Sequence, residues 1–245
     1  MNDGIRYCFR RYEKKYLLDL GQYSYMLKAM APHMVADEHS RYTICNIYYD
    51  TEDYRLIRAS LEKPVYKEKL RVRSYGAVRP GETVFVELKK KYKGVVYKRR
   101  VSLPCEEASQ WLAGEAEKRG GQIFSEIDWF AKSLSLEPKV FIGYDREAYS
   151  GVENSELRIT FDTGLRWRDA QLDLRAGDGG MAIMPRGSVL MEIKIPGSAP
   201  LWLARALSEN GIFPVSFSKY GTYYTDIVLG GRPAAMFNKE VRISA

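Results

Sequence analysis

"VFVELKKKYKGVVYKRRV", residues 84–101, holds two alternating runs on either side of Tyr-Lys-Gly, and seven of its eighteen residues are Lys or Arg. Runs of β-branched and aromatic residues that alternate in polarity and break at a glycine predict a hairpin of two strands. Residues two apart in a strand share a face. Val84, Val86 and Leu88 therefore form one face of the first strand, and Glu87, Lys89 and Lys91 the other. The second strand sets Val95, Tyr97, Arg99 and Val101 against Lys98 and Arg100. Like charges opposed across a strand pair are destabilising. The cationic face therefore needs opposite charge, from the rest of the chain or from a ligand.

The pattern recurs along the chain. Leu70 and Val72 alternate with Lys69, Arg71 and Arg73; Leu157, Ile159 and Phe161 with Arg158, Thr160 and Asp162; and Met191, Ile193 and Ile195 with Glu192 and Lys194. Arg11, Glu13 and Lys15 share the same spacing, as do Tyr144 and Arg146. Strands are predicted at 5–18, 43–49, 66–74, 83–92, 95–102, 139–149, 156–162, 164–175 and 188–195. Helices are predicted at 19–31, 51–60, 104–119, 122–134, 200–210 and in SKYGTYYTDIVL after Phe217. Many strands with interspersed helices define an α+β chain. The expected arrangement is one domain over 1–245, with a helical excursion at about 104–135. Helices have apolar faces to cover, so the apolar side of the sheet should pack outward against them. The charged side then closes on itself as the lumen of an antiparallel eight-stranded β-barrel. Unpaired charges away from bulk water cost several kcal/mol per ion. Such a lumen stays wet, depresses lysine pKa values or holds a polyanion.

The 245 residues carry a net charge of +7, which favours an anionic partner. No run of about eighteen apolar residues exists, so no direct membrane insertion is expected. The N-terminus lacks the apolar core of a secretion signal. Cys8, Cys45 and Cys105 are scattered without metal spacing, which suits reduced thiols in a cytoplasmic protein. The Walker pattern G-x-x-x-x-G-K-[ST] is absent, so no P-loop is expected. His33 and His39 lie off the charged strands and read as surface residues. Lys90 and Lys93 are expected to point to solvent. The aromatic residues are assigned mostly to helices or to strand faces opposite the cations, so a nucleic-acid partner is not expected.

RYEKKYLL (11–18), YYDT (48–51), KLRVR (69–73), VELKKKYKGVVYKRR (86–100), Tyr144-x-Arg146 and MEIKIP (191–196) followed by SKY (218–220) occur in that order. Together they resemble the catalytic domain of the vacuolar transporter chaperone (VTC), the eukaryotic polyphosphate polymerase. That domain is part of the triphosphate-tunnel superfamily, with the adenylate cyclase/thiamine triphosphatase (CYTH) and RNA triphosphatase enzymes. The resemblance implies an eight-stranded tunnel, ATP or another nucleoside triphosphate as phosphoryl donor, and a divalent metal, Mn2+ or Mg2+. By position it implies phosphate binding by Arg71, Arg73, Lys89, Lys15, Lys98, Arg146, Arg158 and Lys219, and metal binding by Glu192. The alternation adds Arg11, Lys69, Lys91, Arg100 and Lys194 to the substrate-binding set, and Glu87 and Glu13 as further metal candidates. The first strand reads Arg11-x-Glu13-x-Lys15 where the hydrolytic relatives have two glutamates before the lysine, which fits the polymerase branch better. The expected activity is transfer of the γ-phosphate of ATP onto a growing polyphosphate chain, with pyrophosphate or phosphate as other partners and a separate membrane protein as a candidate recipient of product. A tunnel-type triphosphatase and a non-catalytic polyphosphate- or nucleotide-binding module are the alternatives.

Overall fold

In the computed structural model, residues 12–230 are described, apart from residues 94 and 118 and the side chain of His39. Arg11 and Cys8 lie outside the described residues. The opening hairpin is present: β4 (Thr83–Tyr92) pairs antiparallel with β5 (Val95–Pro104), with Glu87 opposite Arg100 and Lys89 opposite Lys98. It closes one side of a nine-stranded antiparallel sheet. The other strands are β1 (Tyr12–Leu18), β2 (Met34–Asp50), β3 (Tyr66–Tyr75), β6 (Glu137–Gly151), β7 (Arg158–Arg168), the two-residue β8 (Met181–Ala182) and β9 (Val189–Ile195). Eight of them run in the order β1-β9-β7-β6-β2-β3-β4-β5, and β8 pairs only with β7.

Register carries one face right across the sheet. Glu13 stands opposite Lys194 and Lys15 opposite Glu192. Thr160 then pairs with Glu192, and Asp162 with Arg146. Tyr48 pairs with Arg71, and Arg71 with Glu87. Every predicted lumen residue on a described strand therefore falls on one face, while Lys219 comes from a helix. The opposite face is apolar and builds two cores. Leu70, Val72, Val84, Val86, Leu88 and Val101 pack against α3 (Cys105–Ala113) and α4 (Gln122–Ser133) through Trp111, Ile127 and Phe130. Tyr16, Ile159, Phe161, Met191 and Ile193 pack against α1 (Leu20–Met30) and α5 (Leu201–Glu209) through Met26, Met30 and Leu203. α1 begins where predicted because Asp19 and Gln22 form a capping box: Asp19 Oδ1 accepts from the Gln22 N–H at 2.8 Å, and Gln22 Oε1 accepts from the Asp19 N–H at 3.2 Å.

Four expectations need correction. The sheet is not closed by hydrogen bonds: among the described residues β1 and β5 do not pair. The free edge of β1 is instead met by the returning chain, where the Val215 N–H donates to the Lys15 carbonyl at 2.7 Å. Covering an edge with a loop shields it from pairing with another chain. Second, the helices do not all pack outside. α6 (Lys219–Tyr223) enters the charged side, where Tyr220 stacks on Tyr48 at 5.0 Å and Tyr223 meets Trp167 at 5.0 Å. Third, β2 begins nine residues before the predicted strand at 43–49, because its first half, MVADEHSRY, shows no sustained alternation to read. Fourth, the predicted strands 156–162 and 164–175 are one strand, β7, which runs through Gly164 and ends at Arg168, and residues Leu174–Ala176 form a 3-10 turn instead. Gly164 has φ +56°, and a Cβ there would meet Asp145 Oδ2 at 2.9 Å. Among the described residues no helix is long and apolar enough to cross a membrane.

Candidate functional site

On the β3–β4–β5 wall the cations gather around one carboxylate. Glu87 is 1% exposed. Its Oε2 accepts from Arg71 Nε at 2.9 Å and from Arg71 Nη2 at 2.8 Å. Its Oε1 accepts from Arg100 Nε at 2.8 Å, Arg100 Nη2 at 2.6 Å and Lys98 Nζ at 2.7 Å. Burial alone would raise its pKa, but Arg71, Arg73 and Lys98 hold it well below the usual carboxylate range. Behind this cluster Arg73 Nε donates to Asn46 Oδ1 at 2.9 Å, and Asn46 Nδ2 donates to the Ile142 carbonyl at 3.0 Å. Arg71 Nη1 donates to the Tyr48 hydroxyl at 3.2 Å.

The facing wall repeats the device with other residues. Asp162, fully buried, accepts from Arg146 Nε at 2.6 Å and Nη2 at 2.8 Å, and from Lys219 Nζ at 2.6 Å. Both cations also sit over the Tyr144 ring, Lys219 at 4.2 Å and Arg146 at 5.2 Å from its centroid. Burial opposes ionisation of Asp162, yet Lys219 and Arg146 keep it below the carboxylate range. Next to it Glu192 pairs with Lys194 at 2.7 Å. Despite burial, Lys194, Lys15 and Lys219 hold Glu192 well down.

Between the two walls lies a lysine stripe without this compensation. Lys69 stands opposite Lys89, and Lys67 opposite Lys91. Lys69 Nζ donates to a neutral partner, Ser218 Oγ, at 3.1 Å; Lys15 Nζ donates to the Phe217 carbonyl at 3.0 Å and has only a longer ion pair, to Glu13 at 3.6 Å. Burial lowers the pKa of Lys89; Glu13 and Glu192 on the far strands counter this, while Lys15 and Arg71 reinforce it. Lys15 of β1 and Lys69 of β3 reach the adjacent residues Phe217 and Ser218, so the sheet curls far enough to bring these strands around the same segment. Burial, with Lys15, Lys67 and Lys89, pushes Lys69 down to about 8 against an opposing pull from Tyr48.

This shift has a measurable consequence. A bound polyanion favours the charged amine and raises its pKa, so affinity is full below pH 8 and declines as pH rises above it, by up to about tenfold per unit for each such group. Tripolyphosphate titrated calorimetrically at pH 8 should take up a proton, seen as heat that depends on the buffer. Lys69→Met should flatten the alkaline slope relative to the wild type. An identical pH profile in both proteins would show that Lys69 does not meet the anion.

Not every predicted residue joins the centre. Arg158 is half exposed and pairs with Asp37 at the rim, and Lys91 is exposed at the end of β4. Lys90 is on the outer face as expected but does not simply point to solvent: it pairs with Glu126 at 2.7 Å and with Glu68 at 3.6 Å. His33 is half-buried and stacked on Trp202. The expectation that aromatic residues oppose the cations is also corrected. Tyr42, Tyr48, Tyr75, Phe85 and Tyr144 share the cationic face, because each sits an even number of residues from a charged neighbour in its own strand or opposite one in register. Asn46 and Tyr48 were missed; the alternation in TICNIYY that sets Cys45 and Ile47 on the other face was the signal that could have found them.

A divalent metal needs oxygen donors. Among the described residues no three His, Cys, Asp or Glu side chains converge. Glu87 already accepts five charged hydrogen bonds, which makes it an organiser of cations. Glu13 and Glu192 remain, on the inner faces of adjacent strands and diagonal in register. Mg2+ and Mn2+ sites in phosphoryl-transfer proteins use one or two carboxylates and complete their shell with substrate phosphates and water. The pair fits an ion of that kind and does not form a cage by itself.

A curled antiparallel sheet whose concave face is lined by cations, with its apolar face covered by helices, is a triphosphate-tunnel fold. A crystal structure of a candidate adenylate cyclase from Bacillus halodurans is similar at TM-score 0.51 and 14% identity, covering 84% of this chain and 92% of that one. An adenylyl cyclase-like protein from Hippeastrum, described as having a dominant triphosphatase activity, aligns at TM-score 0.49 and 16% identity over 87% of this chain and 94% of that one. The sequence model of the VTC domain matches residues 10–227, and the chain belongs to that family. Among curated protein sequences none matches it.

Proposed function

We propose that the tunnel is an ATP-dependent polyphosphate polymerase, moving the γ-phosphate of ATP onto the end of a growing polyphosphate chain. The supporting observation is that Glu87 and Asp162 have both carboxylate oxygens engaged by cations. Hydrolysis needs a group to orient and deprotonate water, and two carboxylates held this far down are poor proton acceptors. A phosphate terminus is already anionic and needs only alignment and charge neutralisation. In the step, a terminal oxygen of the chain forms a bond to Pγ, the bond from Pγ to the β-bridging oxygen breaks, and the electron pair leaves on ADP. Arg71 and Arg73 on one wall, with Arg146 and Lys219 on the other, hold the donor phosphates; Lys15, Lys69 and Lys89 hold the acceptor chain. Mn2+ or Mg2+, held by Glu192 and Glu13, would neutralise charge on the transferring phosphate's oxygens.

Incubation with ATP and MnCl2 should yield ADP and a phosphate polymer that hot acid hydrolyses to orthophosphate, with one polymer phosphate per ADP. Orthophosphate without polymer would make the protein a triphosphatase, and binding without turnover would leave a sensing module. In Glu192→Gln the manganese concentration for half-maximal rate should rise roughly tenfold or more, with a smaller change in the KM for ATP. An unaltered manganese titration would reduce Glu192 to a counter-charge for Lys194 and Lys15.

A further inference from the structure

The lumen's two ends differ in chemistry. At the end formed by the C-terminus of β3, the N-terminus of β4 and the C-terminus of β5, three aromatic rings share the cationic face. Tyr75 meets Tyr42 at 5.6 Å and Phe85 at 5.8 Å between ring centroids, edge-on to both. The Arg100 guanidinium, already doubly bonded to Glu87, covers one side of Phe85 at 4.2 Å. Tyr75 is 53% exposed, although it lies two residues beyond the buried Arg73 on the same face. The aromatic rim thus continues directly into the guanidinium cluster. At the other end, Lys67 and Lys91 face each other and α6 lies across the sheet.

We infer that the Tyr42–Tyr75–Phe85 rim seats the base of a nucleoside polyphosphate whose phosphates run inward along Arg73 and Arg71. The inference deepens the proposed reaction and rests on the tunnel being its phosphate site. A ring this exposed beside a cation cluster fits one class of ligand better than a bare phosphate chain: a flat π-system covalently attached to several phosphates. Successive same-face positions in a strand are about 7 Å apart. Tyr75, Arg73 and Arg71 therefore form a track about 14 Å long by that spacing, which a base, ribose and triphosphate can follow. Bases stack on aromatic rings with little regard to sequence, so ATP and GTP should use the seat alike. The rim also orients the donor: nucleoside at the aromatic end, γ-phosphate toward the lysine stripe.

Calorimetric binding of ATP, GTP and tripolyphosphate to the full chain tests this. Tyr75→Ala should weaken ATP and GTP about tenfold and leave tripolyphosphate within about twofold, since the loss of one stacking platform typically lies in that range. Tyr75→Phe, which keeps the ring but loses the hydroxyl, should bind ATP like the wild type. Unchanged ATP affinity in Tyr75→Ala overturns the base seat while leaving the phosphate tunnel intact, as does equal loss of ATP and tripolyphosphate. Failure of the wild type to bind tripolyphosphate at all would overturn the tunnel site and the seat with it.

Discussion

Glu87→Gln should lower the folding free energy by about 3–5 kcal/mol, the range found when one partner of a buried ion cluster is removed. The substitution preserves shape and takes away one charge. Arg71, Arg100 and Lys98, all within 2.9 Å of that carboxylate, and Arg73 at 3.9 Å would then face one another with no counter-charge. In urea the midpoint should fall with little change in slope, the signature of altered stability at constant exposed surface. Glu68→Gln is the control: it removes a partner of Lys90 at 3.6 Å on the outer face, where such pairs contribute about 0–1 kcal/mol. Tripolyphosphate should restore much of what Glu87→Gln loses, because a ligand at a hundred times its Kd adds about 2.7 kcal/mol. The pH dependence has a fixed sign. A carboxylate held below its unfolded pKa contributes fully above the ordinary carboxylate range and loses that contribution as pH falls through it. The wild type should thus lose stability below about pH 4.3 more steeply than Glu87→Gln. A midpoint no lower than that of Glu68→Gln would mean the cluster is not under electrostatic strain.

How much of this was visible beforehand follows from where the information sits in the chain. Facing was legible because strand alternation has a period of two and each strand carries its own record of it: Arg71 and Arg73 could only share a face, and so could Lys98 and Arg100. Which residues meet across strands was not legible. Glu87 opposite both Arg71 and Arg100 depends on the registers of two separate pairings, and Asp162 opposite Arg146 depends on a bulge near Gly143. Closure could not be read either, since it depends on how the chain returns after α5 to place Val215 on the edge of β1. The turn of α6 into the lumen is set by Asp50, fully buried, which accepts the Tyr220 hydroxyl at 3.0 Å and the backbone N–H groups of Leu56 and Ile57. The YYDT motif contains that aspartate, but its partner lies 170 residues later.

The same cluster should respond in the opposite sense when a cation is removed. In Arg71→Ala, Glu87 keeps the two bonds from Arg100 and the one from Lys98, so no buried carboxylate is stranded. The lumen also loses one member of an excess of like charges, and folding stability should fall little. Turnover should collapse. Removing one preorganised donor from a transition-state site typically costs 10²- to 10³-fold, so polymer and ADP formation from ATP and MnCl2 should drop by about that factor. Arg73→Ala should be at least as severe, since Arg73 also ties the wall to Asn46 and thereby to Ile142. Arg71→Lys should recover little, because an ammonium cannot hold Glu87 along one edge and present further donors in a fixed plane. On the proposed reaction, stability and activity should separate within one ion cluster, with the carboxylate holding the wall together and the guanidinium groups meeting the phosphates. Near-normal ADP formation in both Arg71→Ala and Arg73→Ala would remove β3 from the phosphate site and leave Arg100 and Lys98 of β5 as the cations of that wall able to serve it.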